Sequence, residues 1–162
     1  MPVKVKICGV RTPAIIETAA EAGADYVGLV FFATSPRHLT PAEAKALAKT
    51  AKGRIGTVAV LVDPGDELID EVVGTVGPDL LQLHGGESPE RVAAIKARTR
   101  LPVMKAISIA TASDVAGARA YALGAQFAPI DNWYLGAGVG KSESSLSGAD
   151  FSGTSLRLAT DV

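Results

Sequence analysis

Six side chains in this chain are able to do chemistry and fall at related places: Cys8, Arg37, Gln82, His84, Lys105 and Asp131. A thiol serves as a base when its thiolate is accessible, and a carboxyl group can move a proton to or from a reacting atom. A guanidinium offers a planar fork that meets a carboxylate through two hydrogen bonds, which a lysine does not reproduce. Each residue alone also has an ordinary reading. Cys8 suits a small buried hydrophobe, His84 before Gly85-Gly86 a turn, Arg37 a solvated loop charge and Asp131 a loop acid. What joins them is position, because all six stand at or just past the carboxyl end of a strand-like run, the rim where parallel α/β folds gather their sites.

The elements that must carry these residues repeat. Strand-like runs begin near residues 3, 26, 55, 79, 102 and 126, at intervals of 23, 29, 24, 23 and 24. Val3-Lys4-Val5-Lys6-Ile7-Cys8-Gly9 alternates in the two-residue period of a strand and ends on the only cysteine. Lys6 is expected to point away from Cys8 and to give the thiol no direct help. Tyr26 to Phe31, Gly56 to Leu61, Leu80 to Leu83, Pro102 to Ala106 and Phe127 to Ile130 read as mostly continuous apolar strands, as in parallel sheets covered on both faces. Thr12-Pro13, Thr40-Pro41-Ala42-Glu43, Ser88-Pro89 and Thr111-Ala112-Ser113-Asp114 announce helix starts. A third helix is expected from around Asp63 to Asp66, ending near Gly74 or Gly77. Gly23-Ala24-Asp25, Gly77-Pro78-Asp79 and Gly124-Ala125-Gln126 occupy equivalent turns into the next strand. The fold class that follows is α/β with parallel strands and right-handed crossovers.

Residues 1–135 are therefore expected to form one βα domain. The 27 residues 136–162 hold five glycines and six serines and read as a tail, with one short strand conceivable over Ser155 to Thr160. A net charge of −1 in 162 residues offers no basic field for nucleic acid or an anionic membrane, so a small ligand is the expected partner. No apolar run approaches the roughly 18 residues of a membrane span. One cysteine makes no internal disulfide, and with no secretory leader evident the cytoplasm is the expected compartment.

Lys6-Ile7-Cys8-Gly9, Ser35-Pro36-Arg37 after Gly28-Leu29-Val30-Phe31, Leu81-Gln82-Leu83-His84-Gly85 with Glu87 close behind, and Pro102-Val103-Met104-Lys105-Ala106 together resemble the phosphoribosylanthranilate isomerases of tryptophan biosynthesis. The likeness runs in order over roughly residues 3 to 131. It implies a (β/α)8 TIM barrel, of which this chain holds about six units, and an Amadori rearrangement of N-(5-phosphoribosyl)anthranilate without metal or organic cofactor. By the same resemblance Cys8 matches the general base, Asp131 the general acid and Arg37 the group that pairs with the anthranilate carboxylate. Gln82 and His84 are placed near the ligand without a chemical step, and Lys105 either adds positive potential at the rim or forms a structural ion pair.

The chain departs from the family after strand six. Glycine-rich phosphate loops after strands seven and eight have no counterpart here. Because energy from a remote phosphate helps hold the reacting ring, an impaired barrel fragment or a ligand-binding remnant is the competing expectation. Open sheet edges also lead us to expect self-association. A self-contained flavodoxin-like domain, with helices on both faces of the sheet, is a third reading.

Overall fold

The computed structural model describes residues 4–109 and 111–123. Five βα units follow one another: β1 (Lys6–Cys8), α1 (Pro13–Glu21), β2 (Tyr26–Phe31), α2 (Pro41–Ala51), β3 (Gly56–Leu61), α3 (Asp66–Val76), β4 (Leu80–Leu83), α4 (Pro89–Thr99), β5 (Val103–Lys105) and α5 (Ala112–Leu123). The five strands form one parallel sheet in the order β1-β2-β3-β4-β5. The expected sixth strand, Asp131 and the tail from 136 lie outside the described residues.

Strand parity separates two faces. Val27, Leu29, Phe31, Ala59, Leu61, Leu81, Leu83 and Val103 pack with Ile16 and Ala19 of α1, Leu47 of α2, Ile69 and Val72 of α3, and Val92 and Ile95 of α4. The opposite face has its own apolar cluster of Val30, Val58, Val60, Leu80 and Met104, with Tyr26 against it and no helical residue in it. Helices on one face and strands in unbroken chain order are the arrangement of a (β/α)8 barrel wall, with the second cluster as its inside. Both features rule out the flavodoxin-like reading, which needs a reversal in strand order and helices on both faces.

The helix starts behave as their residues dictate. Thr12 and Ser88 accept from the backbone N–H three residues on, Thr40 and Glu43 close a full capping box, and proline occupies the first turn of each of these helices. α3 begins without a side-chain cap and runs past Gly74 to Gly77, whose φ of 62° ends it in the left-handed conformation. The repeated turn has a specific use: Asp25 Oδ2 accepts from Val5 N at 2.7 Å, and Asp79 Oδ2 accepts from Thr57 N at 2.7 Å. Each aspartate thus clamps the backbone of the neighbouring strand as the chain enters its own.

Among the described residues no strand pairs with the outer edge of β1. Val5, Ile7 and Ile15 are 46%, 40% and 44% exposed, and they line an apolar groove of about 430 Å³ with Ala14, Thr18 and Ala19.

Candidate active site

Cys8 ends β1 on the inner face, opposite Gly28 of β2, and is exposed. Gly9 then turns the chain with φ 78°, and Gly9 N and Val10 N both donate to Gly28 O, at 2.9 and 3.1 Å. The loop after β2 is braced locally. Arg37 N donates to Ser35 Oγ at 3.1 Å, His38 N to Ser35 O at 3.0 Å, and Leu39 N returns to Val30 O at 2.8 Å. Arg11 ties the two loops by donating to Pro36 O at 3.0 Å. The Arg37 side chain lies across Gly9 so closely that a Cβ there would collide with Arg37 Cδ. Glycine at position 9 is therefore required twice, for its φ and for the arginine that lies against it.

Lys6 corrects an expectation. Residues two apart on a strand share a face, and Lys6 stands on the same side as Cys8. A Cβ on Gly28 would sit 3.0 Å from Cys8 Sγ and 3.2 Å from Lys6 Nζ.

Gln82 and His84 continue the inner face along β4. Gln82 is 7% exposed, its Nε2 lies 3.5 Å from His84 Nδ1, and its Oε1 is buried with no hydrogen-bond partner. A buried acceptor left open is costly and marks a place where a donor fits. The His84 imidazole is held below its ordinary value of 6.5, first by lost hydration and then by the ammonium groups of Lys105 and Lys6, against an opposing pull from Glu87.

Lys105 takes a different position from that of a ligand contact. It shares parity with Val103 and pairs in register with Leu83, which puts it on the helix side of the sheet at 3% exposure. Its Nζ donates to Glu87 Oε2 at 2.8 Å and to Gly85 O at 2.6 Å. Glu87, also buried, accepts from Asp63 N at 2.9 Å and from Gly85 N at 3.0 Å, while Asp63 Oδ1 accepts from Gly86 N at 2.7 Å. Tyr121 of α5 donates to Glu87 O at 2.9 Å. Burial alone would raise the Glu87 carboxyl, but the Lys105 ammonium and the backbone donors outweigh it and hold it below the usual carboxylate range. Reasoning from strand ends missed Glu87 and Asp63 because neither ends a strand. The signals available were Glu87 within the β4 motif and the turn-forming Asp63-Pro64-Gly65.

Among the described residues no group of three or more His, Cys, Asp or Glu side chains could hold a metal ion. No helix among them is long and apolar enough to cross a membrane.

A sequentially ordered parallel sheet with helices on one face, and with thiol, guanidinium, amide and imidazole groups at or past the carboxyl ends of its strands, defines a barrel protein of the (β/α)8 class, a fold whose sites lie at that rim. The family model of N-(5'-phosphoribosyl)anthranilate isomerase matches residues 5–160, and the chain belongs to that family. The N-(5'-phosphoribosyl)anthranilate isomerases of Brucella canis and Brucella abortus are 53% identical to it over 115 residues, which cover 71% of this chain and 52% of each relative. The phosphoribosyl anthranilate isomerase of Thermotoga maritima superposes with a TM-score of 0.71 at 32% identity, over 75% of this chain and 58% of that one. A phosphoribosyl anthranilate isomerase crystallised with reduced 1-(o-carboxyphenylamino)-1-deoxyribulose 5-phosphate gives the same TM-score and identity, with 62% of its length covered. The chain spans about half the length of the curated relatives it matches.

Proposed function

We propose that this chain carries the thiol side of a phosphoribosylanthranilate isomerase site and that its reaction is the Amadori rearrangement of N-(5'-phosphoribosyl)anthranilate to 1-(2-carboxyphenylamino)-1-deoxyribulose 5-phosphate, a step of tryptophan synthesis. The observation that carries this reading is the Arg37 side chain lying over Gly9 beside the exposed Cys8. The guanidinium side chain thereby rests on the residue that follows the thiol in the chain.

In this mechanism Asp131 protonates the furanose ring oxygen, the C1–O bond breaks, and the nitrogen lone pair forms an iminium. That cation makes the C2 proton acidic enough for a modest base. The Cys8 thiolate takes the proton, and the C2–H electron pair becomes the C1=C2 bond of an enaminol that tautomerises to the ketone. Arg37 binds the anthranilate carboxylate through two hydrogen bonds, and Gln82 and His84 line the ligand. Lys105 acts at one remove by holding the loop that follows His84. No cofactor is required for these steps. Residues 1–135 serve as the partial barrel domain and 136–162 as its tail, the protein acts in the cytoplasm, and its partner is a small phosphorylated aminosugar rather than nucleic acid.

The test is loss of substrate fluorescence on adding protein. Cys8→Ala and Asp131→Asn are each expected to lower turnover by about 10²- to 10⁴-fold. No turnover from folded wild-type protein would defeat the enzymatic reading for this chain.

A second reading, an impaired barrel or ligand-binding remnant, rests on the exposure of Val5, Ile7 and Ile15. It predicts binding of the reduced product analogue without turnover, unaffected by Asp131→Asn. The same β1 edge leads us to infer that two copies associate through it. A concentration-independent monomer mass by light scattering would count against that association.

A further inference from the structure

The closeness of Lys6 to Cys8 is the result of two independent features. Strand periodicity gives them one face, and the missing side chain of Gly28 lets the ammonium rise along the strand to the level of the thiol. The same ammonium is among the charges that lower the pKa of His84.

We propose that Lys6 is a ligand-binding residue of this site: its ammonium donates a hydrogen bond to the hydroxyl oxygen on the carbon that faces Cys8. The identity of that hydroxyl, on C2 of the ribose, rests on the isomerase reading above. The presence of the charge beside the thiol does not. During the reaction the C2–H bond breaks towards Sγ and its electron pair passes into the C1=C2 bond, neutralising the iminium nitrogen. The C2 oxygen keeps its proton and Lys6 keeps its own. A donor on that oxygen fixes the rotation about the sugar so that the C–H bond points at sulfur, a contribution of position rather than of proton transfer.

Cys8 is the only cysteine in the sequence, so alkylation reads one site. Anionic iodoacetate and neutral iodoacetamide are compared at one pH, where the ratio of their rates is independent of how much thiol is ionised and reports the local potential. Lys6→Met is expected to lower the iodoacetate-to-iodoacetamide ratio about 3- to 10-fold at low ionic strength, and Lys6→Arg to keep it near wild type. An unchanged ratio in Lys6→Met overturns the proposal. Should circular dichroism show Lys6→Met unfolded, Arg37→Met isolates the ammonium instead. A ratio that falls with added salt in Arg37→Met supports Lys6, and a salt-insensitive one overturns it. None of these measurements needs turnover, so an inactive wild type would defeat the isomerase reading and leave them interpretable. The hydroxyl is tested by binding the reduced product analogue and its 2-deoxy counterpart to wild type and Lys6→Met. Substitution is expected to weaken the first by about tenfold more than the second, the loss of one charge-assisted hydrogen bond. Equal losses on both overturn the assignment to that oxygen.

Discussion

The two sides of the mouth are built in opposite ways. Around β3, β4 and β5 the loops are joined through buried charge, with Lys105, Glu87, Asp63, Gly85 and Tyr121 linked by hydrogen bonds between segments far apart in the chain. Around β1 and β2 the loops are joined mainly by backbone groups and by Arg11, while Cys8 and Arg37 remain exposed. The braced side offers few open groups at its surface, and the reactive side has few braces. Under the proposed isomerase reading the difference has a use: a buried ion pair fixes geometry by satisfying all its partners, whereas a base and a carboxylate-binding fork keep their valences free for a ligand. The reactive side also adjoins the β1 edge, where Val5, Ile7 and Ile15 are exposed.

Removing a brace is the largest perturbation on offer. Lys105→Met strips the cation from a carboxylate that stays buried, and breaking such a pair costs about 3–5 kcal/mol. Urea unfolding is expected to show that loss, while iodoacetamide labelling of Cys8 in the folded protein stays near wild type. Labelling that accelerated along with the instability would mean the two sides are one cooperative unit.

Gly9→Ala comes next and strikes the reactive side. The left-handed backbone costs an ordinary residue roughly 1–2 kcal/mol, and the added Cβ meets Arg37. Affinity for an anthranilate-type carboxylate should fall about tenfold or more, as expected from displacing a bidentate guanidinium contact, with a smaller stability loss than Lys105→Met. Gly28→Ala is milder, because only its Cβ contacts with Sγ, Nζ and the Cys8 backbone are tight. It should slow Cys8 alkylation and cost about 1 kcal/mol of stability in urea unfolding, the low end for forcing an extra methyl into a packed site.

The braced and reactive sides differed in how legible they were from the chain. Strands, caps and turn aspartates were readable because periodicity, Thr/Ser-Pro pairs and glycine turns are local signals, and β2, β3 and β4 lie where the apolar runs put them. Strand β1 is shorter than its alternating pattern: Val5 O accepts from Asp25 N and Tyr26 N, and the Asp25 carboxylate takes Val5 N, so residue 5 belongs to the turn clamp. On the reactive side Cys8 and Arg37 were legible as strand-end residues of special type. Lys6 was misjudged although the period of two was sufficient to place it. On the braced side Lys105 was legible as a strand-end charge, but its partner was not, since Glu87 meets it only after the β4 loop folds across. Parity alone would have told its direction, as Lys105 is out of step with Gln82 once Gln82 and Met104 are paired.

His84 joins the two sides, and it supplies the smallest and most discriminating test. Its folded value lies below 6.5, because lost hydration and the ammonium groups of Lys105 and Lys6 together outweigh Glu87. The folded state therefore takes up the proton less readily than the unfolded chain. The sign follows: the stability His84 contributes is complete above about pH 6.5 and is lost as the pH falls through that value towards the folded one. Because the ring is exposed to solvent, the effect is a fraction of what a buried pair would give. Between pH 7.5 and 5.5 the urea midpoint should fall more in wild type than in His84→Asn. In Lys6→Met the wild-type decline should shrink, since one of the two cations that oppose protonation is gone. If removing Lys6 left the decline unchanged while Lys105→Met abolished it, His84 would answer only to the braced side, and the two halves of the mouth would be electrostatically separate.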